Sequence, residues 1–213
     1  MLKNIQKKQL IFIEFIKKDV ISKLFKMKKL IKSSIIEHKK LLDIATQKLI
    51  NEIDISSKLV VKTLKKSKTV FFAGNGGSAA DSQHIAAELV GRFKKDRKPL
   101  KAIALTTDTS ILSAIGNDFG FDTVFSRQLE ALGTNGDLLI CSSTSGNSPN
   151  ILNALKTAKK NKIKTISLLG NNGGKCKRYS DIPIVIPSSN TARIQELHIL
   201  VGHIICEIID KNY

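Results

Sequence analysis

The 213-residue chain is 42% hydrophobic, enough to bury one sizeable domain with an accessory segment. Its formal net charge of +17 is uneven: residues 1–68 hold eighteen Lys against six acidic residues, which leaves +5 for the other 145. With only five Arg among 35 basic residues, no Trp and two Tyr, that charge reads as solvated lysine-rich helix faces, and no nucleic-acid partner is expected.

Residues 1–26 alternate apolar residues with lysines at loosely helical spacing, as a basic amphipathic extension would. Contact with a membrane surface, packing on a partner subunit and a start codon placed too early (Met27 is an internal alternative) all fit. The favoured expectation is a dispensable extension. Glu14 cuts the apolar stretch Leu10–Ile13 and no cleavage site follows, so no signal peptide is expected. No apolar run approaches the roughly 20 residues that cross a bilayer. Residues 27–68 then form N-terminal helices, with two helical patterns between Ser33 and Lys66 and a break near Asp54 or Ser56.

From residue 69 to 213 strands alternate with helices. Strands are predicted at 69–73, 102–105, 137–142, 164–169 and 182–186. Helices are predicted at about 79–91 and 149–160, in a helix-rich stretch over 109–132, and from about 191 to 210. That alternation predicts an α/β fold, a parallel sheet sandwiched by helices in the flavodoxin-like or Rossmann-like manner. Ligands would gather at the C-terminal ends of the strands. Cys141, Cys176 and Cys206 form no metal or disulfide pattern, and a reducing cytoplasm is expected.

Two strand–loop–helix turns carry chemistry. In the first, Gly74-Asn75-Gly76-Gly77-Ser78 turns a buried strand into a helix whose first N–H groups attract anions. On that helix His84 and Glu88 stand at i and i+4, on one face. In the second, Ser143-Thr144-Ser145-Gly146-Asn147-Ser148 offers hydroxyls and amides to a phosphate. Ser148 suits the N-cap and Pro149 the first helical position. The dinucleotide fingerprint is weak here, because its sixth position is Ala79 and the acid after the next strand, Asp108, lies further on than the usual ribose-binding acid. The turn Gly170-Asn171-Asn172-Gly173-Gly174-Lys175-Cys176 lacks the phosphate-loop spacing, and no nucleophile elbow is present.

Gly74 to Phe93 (GNGGSAADSQHIAAELVGRF), Gly116 to Gly120 (GNDFG), Ser143 to Ser148 (STSGNS) and Ala192 to His198 (ARIQELH) together resemble the phosphoheptose isomerase family of the SIS (sugar isomerase) fold. The resemblance covers about residues 33–210 in unbroken order. It implies a single SIS domain in a cytoplasmic homotetramer with sites shared between subunits. The implied reaction converts sedoheptulose 7-phosphate into D-glycero-D-manno-heptose 7-phosphate, the first step toward activated heptose for surface polysaccharide. By motif, Asn75, Gly76 and Gly77 would touch substrate, Asn117 and Asp118 the sugar, and Ser143, Thr144, Ser145 and Ser148 the phosphate. His84, Glu88, Gln195 and His203 would hold one Zn2+ per subunit, with Glu88 and Gln195 also meeting substrate. Glu88 and His203 would be the acid/base pair.

The residues leave some matters open. Gln195 lies about 80° around a helix from His203 and Glu196 only about 20°, so spacing prefers Glu196 where the resemblance selects Gln195. His198 is expected to be structural or interfacial and His38 a surface residue. Arg92 and Arg193 could reach a phosphate or form helix-surface ion pairs. Rival roles are an isomerase of another sugar phosphate, such as arabinose 5-phosphate, and a binding protein like the SIS relatives that associate with a replication initiator. The resemblance disfavours the latter, because Glu88 and His203 are both present.

Overall fold

The computed structural model describes residues 2–213, with side chains from residue 23 onward. Helix α1 (Leu2–Lys48) runs through Met27 without interruption. The expected amphipathic character of residues 1–22 lies outside the described side chains. Residues up to Lys40 form one compact unit and Leu41–Tyr213 a second. In the first unit, Leu24, Phe25, Met27, Leu30 and Ile31 are all exposed.

In the second unit, α2 (Ile50–Lys65) follows the end of α1, and the break falls at Leu49, not near Asp54 or Ser56. No breaker residue marks it. Asp54 instead takes Lys58 as an i,i+4 ion-pair partner inside α2, and Ser56 is buried. Strands β1 (Val70–Ala73), β2 (Ala102–Ala104), β3 (Leu138–Ser143), β4 (Lys164–Gly170) and β5 (Ile182–Ile186) then alternate with helices α3 to α7. These are α3 (Gly77–Val90), α4 (Thr109–Phe119), α5 (Val124–Leu132), α6 (Pro149–Lys160) and α7 (Thr191–Asn212). The helix-rich stretch is thus two helices, parted by Gly120 at φ +84° and a short 3-10 turn over Phe121–Thr123.

All neighbouring strands are parallel, in the order β2-β1-β3-β4-β5. Phe72 lies opposite Ile140, and Ile140 opposite Ile166. Because successive strand residues face opposite ways, each strand feeds two cores. Val70, Phe72, Leu138 and Ile140 pack with α2, α3 and α7 on one face. Phe71, Ala73, Leu139 and Cys141 pack with α5 and α6 on the other. Strands covered on both sides are continuous apolar runs for this reason. Chain order reverses between β1 and β3, and the crevice beyond that point is where open α/β sheets bind ligands.

Polar locks close the opposite, N-terminal edge. Asp137 accepts the N–H groups of Thr69 (2.9 Å) and Thr134 (2.7 Å). Asp181 accepts the Thr165 N–H (2.9 Å) and hydroxyl (2.8 Å) and pairs with Lys164 (2.7 Å), joining β4 to the start of β5. Burial pushes the Asp181 carboxyl up, but the Lys164 and Thr165 donors outweigh it and hold the group below the usual carboxylate range. A depressed folded value adds stability above the unfolded value of about 3.9, which is lost as pH falls through the folded one. Asp181→Asn is therefore expected to be less stable than the parent chain at pH 7. The two should converge when denaturant unfolding is repeated at progressively lower pH below about 4.

Candidate active site

The first loop of the crevice is shaped by its glycines. A Cβ on Gly74 would lie 2.4 Å from the Ser78 carbonyl oxygen, and Gly76 has φ +55°. Only glycine fits that approach and turn without strain. Asn75 exchanges amide hydrogen bonds with Asn150 in the first turn of α6, at 2.9 and 2.8 Å. One side-chain pair thus ties the β1 loop to the β3 loop across the switch point.

In the second loop Ser148 does precede Pro149, but its hydroxyl does not cap α6. It meets the Ser143 hydroxyl at 2.9 Å. The loop is braced from outside. Gly146 has φ +66°, and a Cβ there would lie 2.2 Å from the Gly173 carbonyl oxygen. The Lys175 N–H donates to the Asn147 side chain (3.0 Å), the Cys176 N–H to the Gly146 carbonyl (2.9 Å), and the Asn171 amide to the Thr144 carbonyl (3.1 Å). The turn after β4, plain in sequence, is the prop of the hydroxyl loop.

Helices α3 and α7 lie side by side in the same direction. Gln195 meets Gly77 at one level, and Gly202 leaves room for Ile85 at another, its added Cβ being only 2.7 Å from the Ile85 Cδ1. That packing brings His84, Glu88 and His203 together, with one ligand atom of each inside a 4.8 Å cluster. His84 Nε2 lies 3.1 Å from Glu88 Oε1 and 3.5 Å from His203 Nε2, with the imidazoles edge to face at 74°. Phe93 stacks on the His203 ring, centroids 5.6 Å apart at 18°.

Two ring nitrogens and a carboxylate oxygen gathered this closely are donors of the kinds that zinc takes. Tetrahedral zinc with bonds of about 2.0–2.1 Å sets its ligand atoms roughly 3.3 Å apart, close to the spacing here, so the three residues fit such an ion. Gln195 stands elsewhere. Eight residues of helix, about 12 Å of axis, separate it from His203, and its amide is turned against Gly77. Glu196, the alternative from spacing, bonds the guanidinium of Arg193. Asp81, one turn before His84, faces the same cluster. Burial pushes its carboxyl up, and His84 and His203 pull it partly back.

The remaining residues divide clearly. Asn117 and Asp118 are exposed near the end of α4, joined to each other at 2.8 Å, and α4 buries none of its residues. Within one chain they are not described in contact with the His/Glu cluster. His198 is structural: it is buried, bonds the Leu169 carbonyl (3.2 Å), and burial lowers its pKa to about 4. Phe93, Asn150 and the Gly173–Gly174 turn were not singled out in the sequence as site residues. Their only signal was position: Phe93 closes the first motif after α3, Asn150 opens α6, and the Gly173–Gly174 turn follows β4.

Known proteins share this fold. The SIS domain family matches residues 35–170. A phosphoheptose isomerase from a Nitratiruptor species is 53% identical over 183 residues, spanning 86% of this chain and 98% of its own. The chain belongs to the phosphoheptose isomerase family. A second member, from Sulfurimonas denitrificans, is 57% identical over 166 residues, 78% of this chain and 85% of that one. The solved phosphoheptose isomerase of Neisseria gonorrhoeae superposes with a TM-score of 0.83 at 41% identity, covering 87% of this chain and 99% of its own. Membership confirms the expected single SIS domain with its parallel sheet.

A cysteine nucleophile has no place in this site. All three thiols are buried, and burial pushes Cys141 and Cys206 up to about 12 and Cys176 to about 11. The folded protein is therefore expected to leave all three unreacted with a chromogenic disulfide reagent at pH 8. Rapid labelling of any one before denaturation would contradict this.

Proposed function

We propose that this chain interconverts sedoheptulose 7-phosphate and D-glycero-D-manno-heptose 7-phosphate, the entry to nucleotide-activated heptose. The observation that carries the proposal is the meeting of Glu88 from α3 and His203 from α7 in one cluster with His84. The relatives, named phosphoheptose isomerases, support the same reading.

Ser143, Thr144, Ser145 and Ser148 hold the phosphate at the end of β3, and Asn75, Gly76 and Gly77 border the sugar. Glu88 takes a proton from C1 of the ketose, leaving an enediol between C1 and C2, and returns it to C2 to give the aldose. His203 shuttles the hydroxyl protons, delivering one to the C2 oxygen and receiving one from the C1 oxygen. General acid and base groups of this kind contribute about 10²–10⁴-fold each.

His84, Glu88 and His203 would hold a zinc ion; Gln195, about 12 Å along α7 from His203, would not join them within one chain. When bound, zinc supplies Lewis-acid polarisation of the substrate oxygens. Glu88 then serves as donor and as base. Gln195, beside Gly77, also borders the sugar end of the crevice.

The assembly we infer is a homotetramer with shared sites. Helix α4 buries no residue of its own, Ile111 and Phe119 are exposed on or beside it, and Asn117 and Asp118 become substrate contacts when a neighbour's crevice lies against them. We place the reaction in the cytoplasm, where three unpaired cysteines stay reduced. Among the described residues no helix is long and apolar enough to cross a membrane.

Glu88→Gln and His203→Ala are each expected to cut turnover by about 10²-fold or more while the fold persists, read as aldoheptose formed from sedoheptulose 7-phosphate. Near-normal turnover in either variant would remove the assigned roles. Dialysis against a chelator is expected to lower the rate and added zinc to restore it. Full activity in a preparation shown free of metal would rule zinc out.

A further inference from the structure

Residues 91–101, between α3 and β2, form neither helix nor strand, yet they carry a deeply buried ion pair. The side chains of Arg97 and Asp210 are 3% and 6% exposed. Asp210 lies in the last turns of α7. One of its oxygens accepts the N–H groups of Lys94 (2.8 Å) and Lys95 (2.9 Å), and the other accepts Arg97 Nε (2.9 Å). The far edge of the guanidinium turns to α3, where Nη2 donates to the Glu88 carbonyl (2.8 Å) and Nη1 to the Leu89 carbonyl (2.9 Å). These carbonyls belong to the last turn of α3, which a helix leaves short of amide partners. One side chain therefore joins the C-terminal ends of the two helices that bear Glu88 and His203.

The same segment contributes Phe93, whose ring stacks on His203. Anchoring Lys94 and Lys95 by their backbone N–H groups fixes the residue beside it. Buried ion pairs often stabilise a fold no more than apolar residues of similar volume. What the planar guanidinium does provide is a fork that bonds several partners in set directions. Burial pushes the Asp210 carboxyl up, but the Lys95 and Lys94 N–H groups and Arg97 overcome it and keep it ionised.

We propose that the Arg97–Asp210 pair is a positioning device for the acid/base pair. It locks the segment after α3 so that Phe93 backs the His203 imidazole and Glu88 keeps its distance from that ring. The kinetic consequence rests on the isomerase reading, whereas the geometric one does not. Misplacing reacting groups by about 1 Å costs on the order of 10²-fold, so a small loosening is measurable.

The test is Arg97→Lys, which keeps the charge but cannot span Asp210 and both carbonyls. Its kcat, scaled to the folded fraction, is expected to fall about tenfold or more, with KM within about twofold because the hydroxyl loop lies on β3 and α6. The comparison variant is Asp137→Asn, which disturbs a buried carboxylate whose two backbone donors, Thr69 and Thr134, belong to neither α3 nor α7. It is expected to keep kcat per folded molecule. Phe93→Leu, which leaves the ion pair in place, is expected to lower kcat in the same direction, and it decides the matter if Arg97→Lys does not fold. A kcat unchanged in Arg97→Lys, or in Phe93→Leu when that variant decides, would overturn the proposal, as would equal losses in Arg97→Lys and Asp137→Asn. A crystal structure of Arg97→Lys is expected to show the His84 and Phe93 rings displaced from His203. Unchanged spacings would overturn the proposal even if the parent chain proved to have no isomerase activity, a result that would remove the proposed function alone.

Discussion

The close parallel packing of α3 on α7 is the constraint on which this molecule rests. Neither helix carries the His/Glu cluster by itself. The i,i+4 pair of His84 and Glu88 becomes a three-donor cluster only because Gly202 lets α7 approach Ile85, which brings His203 within 3.5 Å of His84. The same contact builds the core, since Ile85, Leu89, Val201 and Ile205 are buried together against β1 and β3. Stability and chemistry are thus drawn from one helix interface, and a substitution that parts the helices weakens both.

The sheet fixes the rest. Strand order reverses between β1 and β3, so the two loops leave the sheet side by side, and the Asn75–Asn150 amide pair spans the gap. The locks at Asp137 and Asp181 hold the other edge of the sheet, leaving the C-terminal edge for ligands. Anchoring and binding occupy opposite ends of the same strands.

Much of this was legible in the amino-acid order, for physical reasons. Strands buried on both faces appear as unbroken apolar runs, and Gly76 and Pro149 mark helix starts by their backbone preferences, so β1 to β5 and α6 fall close to where they were expected. The α1–α2 break at Leu49 was not legible, because the backbone there stays near helical values and no Gly or Pro marks it. Ser148 looked like a cap because its backbone position is a cap's. Its hydroxyl found Ser143 instead, a partner fixed by the loop's own fold. Local spacing favoured Glu196 near His203, but Arg193, one turn away, takes that carboxylate. Arg97 and Asp210 left no trace, since they act across more than a hundred residues and through backbone groups that no side-chain motif records.

The glycine contact that props the hydroxyl loop reaches beyond shape. Gly146 and Gly173 touch backbone to backbone, with Asn147 and Asn171 pinning either side, so the loop is ordered before any anion arrives. A receptor already rigid loses little conformational entropy on capture, and more of the grip survives as affinity. On the proposed reading, the phosphate end of the substrate would meet a frame that does not yield.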